Sequence, residues 1–321
     1  MQITCPSCTH SNAKILFDYK YNVEWDRRLL EADKICRCES CHLVFAWPRP
    51  KIENLSEYYT NYYRANGRPH WVKQPPRPTY RHLAYVSYLT HHVDLSQTRS
   101  IYEIGAGWGE IGLLLKKLHP HLIIRTTEPD KFVRKNLTAR GYIVVDANDA
   151  EPDYDVILSF HTLEHFTNPK DFFNLTKRLK KGGHLMLEVP NCDFEAGWEK
   201  RVYDSPHLLF FTMSSLVWTA ENHGFRKVFS HTTGQSIDRI INLESQSKAI
   251  HGEWTPERPK RKLSATAAML SFFADAMPES LVRLVRKLVI PDQDSSIENF
   301  STEFDLSRKD GWVIRGLFRK V

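Results

Sequence analysis

The chain has 321 residues, 41% of them hydrophobic, with a formal charge of +6 and a pI near 8.9. That length bounds it to about two domains, with apolar content enough for a buried core. No run approaches the roughly 18 apolar residues of a membrane span, and no basic segment followed by an apolar one marks a secretory leader, so a cytoplasmic protein with reduced thiols is expected.

Residues 1–50 hold five of the six cysteines, as Cys5-Pro-Ser-Cys8 and Cys36-Arg-Cys38-Glu-Ser-Cys41. Cys5/Cys8 and Cys38/Cys41 form two C-x-x-C pairs, the spacing of a structural zinc site with four thiolate ligands. Such a zone is too small to fold on an apolar core alone, so metal binding would supply much of its stability. A strand is expected over 13–21. Cys36 is the spare thiol, expected to point away from the pair.

Residues 51–98 read as a connector. The tyrosine-dense stretch 55–63 has helical character and would pack the first module or line an acceptor site, since aromatic faces stack on sugars and bases. Pro69 to Pro78 is a loop. Tyr80 to Val93 has helical spacing, with Leu83, Val86 and Leu89 on one side.

From residue 99 strands alternate with helices: strands 100–104, 122–127, 142–145, 155–160, 184–189 and 225–231; helices 109–118, 130–140, 169–180 and 213–223. This alternation predicts a parallel sheet covered by helices. Between the first strand and helix lies Glu103-Ile104-Gly105-Ala106-Gly107-Trp108-Gly109. A dinucleotide turn reads G-x-G-x-x-G with a pyrophosphate on the helix N-terminus. Here the third glycine position holds Glu110, whose carboxylate would repel a pyrophosphate, so a cofactor without phosphates suits the turn better. Glu128-Pro129-Asp130 closes the next strand, where a doubly wound fold places an acid on a ribose diol. His161-Thr-Leu-Glu164-His165 follows the fourth strand, and Leu179-Lys-Lys-Gly182-Gly183 precedes the fifth.

In this order the motifs resemble those of the class I S-adenosylmethionine (SAM) methyltransferases, in the branch that methylates ubiquinone precursors and sugars. The resemblance runs over roughly residues 80–232. It implies a doubly wound, Rossmann-like, seven-stranded α/β sheet with an antiparallel final strand, here the segment 311–321. The zinc-ribbon-like module at 1–50 and a helical insertion at 236–310 would be additions to that methyltransferase domain, which spans 99–321. It further implies SAM binding by Glu103, Gly105, Ala106, Gly107 and Gly109, by Glu128 and Pro129 at the ribose, by Asp146 at the adenine, and by His161 and Leu163 after the fourth strand.

A hydroxyl acceptor holds its proton tightly, so a base would help by roughly 10²- to 10⁴-fold. His207 and His165 are the candidates. His207 lies in Tyr203-Asp-Ser-Pro-His207-Leu-Leu-Phe-Phe-Thr212. This resembles an acceptor-side segment of sugar C-methyltransferases, with Pro206 in place of its acidic residue and Asp204 in place of its tyrosine. The departure favours O-methylation of a sugar, glycan or other small hydroxyl compound, nucleotide-sugars included. Sugar C-methylation, RNA methylation with a zinc module, and a non-catalytic SAM-fold interaction protein are the competing readings. Positive charge is not concentrated on one segment, so nucleic acid is not the expected partner. The basic amphipathic run 281–290 is a candidate for peripheral membrane contact. Oligomeric state is not readable.

Overall fold

The computed structural model describes residues 2–21, 24–63, 80–146, 153–193, 205–233 and 313–321. The expected insertion at 236–310 with its basic run 281–290, the loop 69–78, Asn148, Asp149 and the pair Tyr203–Asp204 lie outside those residues.

The main sheet has seven strands. β4 (Ser100–Ile104), β5 (Ile123–Thr127), β6 (Tyr142–Val144), β7 (Tyr154–Phe160) and β8 (Leu179–Pro190) run parallel. β10 (Phe225–Thr233) is joined to β8 by β11 (Val313–Lys320), which is antiparallel to both. The spatial order is β10-β11-β8-β7-β4-β5-β6. Strand order reverses at β4, because β5 and β6 lie to one side and β7 and β8 to the other. A crevice opens at such a reversal, beyond the carboxyl ends of the strands.

Every residue of β4 is buried. Tyr102 and Ile104 enter one core and Ile101 the other, as expected of a strand covered on both faces. One face is covered by α3 (Tyr80–His92) and α4 (Glu110–Leu118), through Val86, Leu89, Ile111 and Leu115. The other is covered by α6 (Pro169–Leu175) and α7 (Met213–Asn222), through Phe172, Phe173, Leu216 and Ala220. Full burial of each such side chain is worth about 1.5–3 kcal/mol, so these layers hold the reversal point rigid. α5 (Lys131–Leu137) follows β5 and is capped by Asp130, which accepts from the Phe132 N–H at 2.8 Å.

Two boundaries differ most from the sequence reading. The helix expected over 169–180 ends at Leu175, with one 3-10 turn to Arg178. The strand expected to start at 184 begins at Leu179: pairing with β7 jumps from Tyr154↔Leu179 to Val156↔His184, so residues 180–183 loop out of the ladder. Lys180, in that loop, bonds Asp155 at 2.6 Å.

A second, four-stranded antiparallel sheet has the order β1-β2-β3-β9. β1 (Ala13–Asp18), β2 (Lys34–Cys38) and β3 (Val44–Trp47) come from the N-terminal zone, with α1 (Glu24–Leu30) between the first two. β9 (Leu209–Phe210) comes from the segment before α7. Leu43 and Phe45 share a core with Leu209, Phe211 and Leu216, so apolar packing as well as metal can hold this zone. α2 (Ile52–Glu57) continues into a π-helical turn, Tyr58–Tyr62.

Candidate active site

The glycine turn sits at the carboxyl end of β4. Gly105 extends the ladder by donating to Thr127 O at 3.0 Å, and its φ is +73°. A β-carbon there would lie 2.6 Å from the Thr162 hydroxyl, so the turn after β7 is packed directly against this glycine. Gly109 caps α4 at φ +77°, and a β-carbon there would meet Leu137 and Tyr142 at 2.7 and 2.8 Å. L side chains strain in this left-handed region, so both positions need glycine for conformation and for space.

Glu103 is buried just upstream. Burial raises its carboxyl to about 8; the Tyr142 hydrogen bond opposes the rise, and Glu110 and Glu128 add to it by repulsion. The Tyr142 hydroxyl donates to Glu103 and accepts the Gly112 N–H at 2.7 Å. That N–H belongs to the first turn of α4, where amides lack partners within the helix. Gly112 leaves room for the phenol: a β-carbon would lie 2.1 Å from the Tyr142 ring.

Glu128 ends β5. Its Oε2 accepts the Gly107 N–H at 2.8 Å and its Oε1 the Asp130 N–H at 3.0 Å. It therefore fixes the turn. Pro129 beside it is exposed, and Ala106 is buried in the turn. Three carboxylates, Glu103, Glu110 and Glu128, thus surround the glycines. Burial keeps the Glu103 carboxyl protonated at neutral pH, and a cationic ligand bound beside these three groups would favour its charged form, whereas a pyrophosphate would be opposed.

Residues 80–229 match the family model described as a methyltransferase domain. That segment is therefore similar to a methyltransferase domain. A search of curated proteins returns no match. Among solved structures, the chain is similar to a putative sarcosine dimethylglycine methyltransferase from Galdieria sulphuraria, with 15% identity over 75% of this chain and 85% of that one and a TM-score of 0.43. It is also similar to coclaurine N-methyltransferase bound to N-methylheliamine and S-adenosylhomocysteine (14%, 74% and 70%, 0.45). A third is magnesium protoporphyrin IX methyltransferase from Synechocystis PCC 6803 (10%, 58% and 94%, 0.44). Identities this low, with TM-scores below 0.5, leave the assignment resting on the family match and the site geometry.

The other residues expected at the cofactor are less closely gathered. Asp146 follows β6, is exposed and pairs with Arg134 at 3.0 Å. Leu163 is packed into the main core, 1% exposed. His161 has φ +50° and stands between two buried carboxylates, with Nε2 3.0 Å from Glu188 and Nδ1 3.4 Å from Glu164. Glu188 in turn accepts from Tyr85 and from Arg315 Nε and Nη2 at 2.9 and 2.8 Å. The guanidinium of Arg315 also lies over Tyr85 and Tyr88, 5.2 and 5.1 Å from the ring centroids. Glu188 and Arg315 were missed from sequence, although a lone charge inside each apolar strand was a visible signal.

The fold gathers Glu164, His165 and His207 into one cluster, with a ligand atom of each within 4.8 Å of the others. Glu164 and His165 lie on the 3-10 turn Leu163–His165, whose start, Thr162, touches Gly105. His207 arrives on the segment that becomes β9. Leu208 N–H donates to Glu164 O at 2.8 Å, and Tyr19 donates to His207 O at 2.8 Å. Glu164 is 1% exposed, and neither of its oxygens receives a hydrogen bond; His161 at 3.4 Å is an ion-pair contact only. Burial would raise its carboxyl, but the surrounding imidazoles, His161 foremost, hold it below the ordinary value. Tyr59, in the π-helical turn, contacts His165 Nδ1 through its hydroxyl at 2.8 Å, and the rings of Tyr59 and Tyr63 flank His165. Burial holds the Tyr59 phenol protonated, well above its usual range.

Cys5, Cys8, Cys38 and Cys41 also converge, with their sulfurs within 4.8 Å of one another. Cys5–Cys41 and Cys8–Cys38 are 3.6 and 3.4 Å apart. Tetrahedral Zn–S bonds of about 2.3 Å need sulfurs about 3.8 Å apart, so the four thiols fit the ion. Cys36 does not point away as expected. Residues two apart on a strand share a face, and Cys36 and Cys38 enter the same core. Distance excludes Cys36 instead, since two residues of β2 carry it about 6.6 Å along the strand. Burial pushes its thiol up to about 11.

Proposed function

We propose that this methyltransferase methylates a hydroxyl of a small acceptor, a sugar or glycan such as a nucleotide-sugar, over the Glu164–His165–His207 cluster. One observation carries the reading: a buried carboxylate under two imidazoles, built on the turn that touches the Gly105 end of the cofactor site. Bound SAM supplies a methyl group already activated on a sulfonium. Glu103 and Glu128 face the positive amino-acid end and the ribose, and the first-turn amides of α4 favour the carboxylate. Pro129 would lie beside the ribose and Asp146 would meet the adenine, and His161 would steady Glu164.

His207 removes the acceptor proton, and Glu164 steadies the imidazolium that forms. His165 is held by Tyr59, so its role is to orient the acceptor. Positioning of oxygen and methyl in line is the main task, because the leaving group needs no help. The Tyr59 and Tyr63 rings support stacking by the apolar face of a sugar. The four N-terminal cysteines hold a structural zinc with no open position for chemistry, and they brace the β9 segment that delivers His207. No described helix is long and apolar enough to cross a membrane, and a cytoplasmic setting would keep the four thiols reduced for zinc. The test is turnover on hydroxyl acceptors. His207→Ala should lose 10²- to 10⁴-fold in kcat with SAM affinity retained, whereas near-wild-type turnover would exclude it as the base.

A further inference from the structure

We propose that the groove between α7 and β10 is an acceptor subsite, which holds the following sugar units of an uncharged oligosaccharide whose terminal residue is methylated. The inference deepens the O-methylation reading and rests on it. Among the acceptors named there it selects a glycan chain over a nucleotide-sugar.

The topology sets where the groove begins. Phe211 bridges Asn191, just beyond the carboxyl end of β8, and its carbonyl accepts the Cys192 N–H at 2.8 Å. The first residue of α7, Met213, therefore lies at the pole of the sheet where the His207 segment sits, and the helix runs down the flank from there. β10 runs parallel to β8, because β11 is antiparallel to both, and returns alongside α7 toward the same pole. Between helix and strand lies an open groove of about 480 Å³, which reaches from Asp193 and Thr212 to Glu221 and Lys227. That volume is within the range of small-molecule sites.

Two kinds of group line it. Met213, Val217 and Trp218 lie on one side of the helix at i, i+4 and i+5; each packs partly on the main core and leaves the rest of its surface to the groove. On the strand, a bulge at Val228 brings Lys227 and Ser230 to one face, since they pair with Phe318 and Gly316, two apart on β11. Phe225 and Phe318, on that face, share a core with Leu216 and Ala220, so it is the face that α7 covers. An indole beside hydroxyl, carboxylate and ammonium groups matches a pyranose: its apolar face lies on the ring and its hydroxyls bond the polar rim. Among the described residues the lining carries two carboxylates, Asp193 and Glu221, and one ammonium, Lys227. That balance opposes a pyrophosphate and admits a neutral glycan. The position of the groove, leading away from the His207 pole along the flank, suits a chain extending from the methylated end.

The test uses the full-length, zinc-loaded protein. An array of neutral mono- to hexasaccharides is probed for capture in the presence of S-adenosylhomocysteine, and the same sugars are assayed as methyl acceptors, with SAM calorimetry as the control for folding. Oligosaccharides should be captured, and their KM should lie at least about tenfold below that of the monosaccharide at similar kcat. Trp218→Ala should weaken capture and collapse that KM ratio toward one. Ser230→Trp, which fills the groove and leaves its apolar wall in place, should do the same and replaces Trp218→Ala if the latter misfolds. A KM that ignores chain length, a ratio equal in wild type and variants, or a preference for nucleotide-sugars overturns the subsite and leaves the O-methylation reading standing. Capture that depends on Trp218, without methyl transfer to any sugar, upholds the groove as a glycan site and overturns that reading. Neither capture nor transfer overturns both.

Discussion

Glu103→Gln should make the SAM-free protein more stable at alkaline pH and worse at binding SAM. The Glu103 carboxyl is raised by burial to about 8 from an ordinary 4.5. A raised acid binds its proton more tightly in the folded state than in the unfolded one. Stability therefore falls as pH climbs from about 4.5 to about 8, and the penalty is complete above 8. The gap of about 3.5 pH units, at roughly 1.4 kcal/mol each, sets a ceiling near 5 kcal/mol. The shift is shared with Tyr142, Glu110 and Glu128, so a few kcal/mol is the expected size. Glutamine can still accept the Tyr142 hydrogen bond and cannot ionise. Urea denaturation at pH 5, 7 and 9 should therefore show a variant advantage that is near zero at pH 5 and grows with pH. A bound cationic ligand would draw the proton off Glu103, so SAM affinity should meanwhile drop about 10- to 100-fold in the variant, the worth of a hydrogen bond to a charged group. A stability difference independent of pH would refute the reasoning, as would a variant that binds SAM like the wild type.

Three further perturbations probe the same frame. Gly105→Ala places a β-carbon 2.6 Å from the Thr162 hydroxyl at φ +73°, so SAM binding should be lost by calorimetry along with about 1–3 kcal/mol of stability; unchanged affinity would detach that turn from the cofactor. Tyr142→Phe removes the bridge between Glu103 and the Gly112 amide, leaving two buried groups unpaired, and should cost about 1–3 kcal/mol in chemical denaturation. Cys38→Ser should lower zinc from about one ion per chain to near zero by elemental analysis and lower the melting temperature; full zinc content in the variant would dismiss the four-thiolate site.

The cofactor turn was legible because its causes are local. Glycines at alternate positions and an acid at the next strand end follow from backbone geometry within a few residues. The order of strands followed from alternation, since each βα unit repeats the same crossover. What stayed hidden depends on apposition. Tyr142 meets Gly112 only because β6 folds beside α4, and no spacing in the sequence encodes that contact. Leu209 and Phe210 fall between the elements expected from sequence, yet they complete the N-terminal sheet through pairing with Val44 and Phe45. Leu163 packs in the main core, a placement that tertiary contacts set and no local spacing encodes. Cys36 shows the opposite error: strand alternation, applied correctly, puts it beside Cys38, and only the distance along β2 keeps it out of the ligand set.

The most direct measurement is transfer of a labelled methyl group from SAM to a panel of nucleotide-sugars, glycans and RNA, with the linkage in the product determined by mass spectrometry. The proposed function predicts label on a hydroxyl oxygen of a sugar acceptor, dependent on Glu164 and His207. Label on carbon or on RNA, or no transfer by a protein that binds SAM, would contradict it.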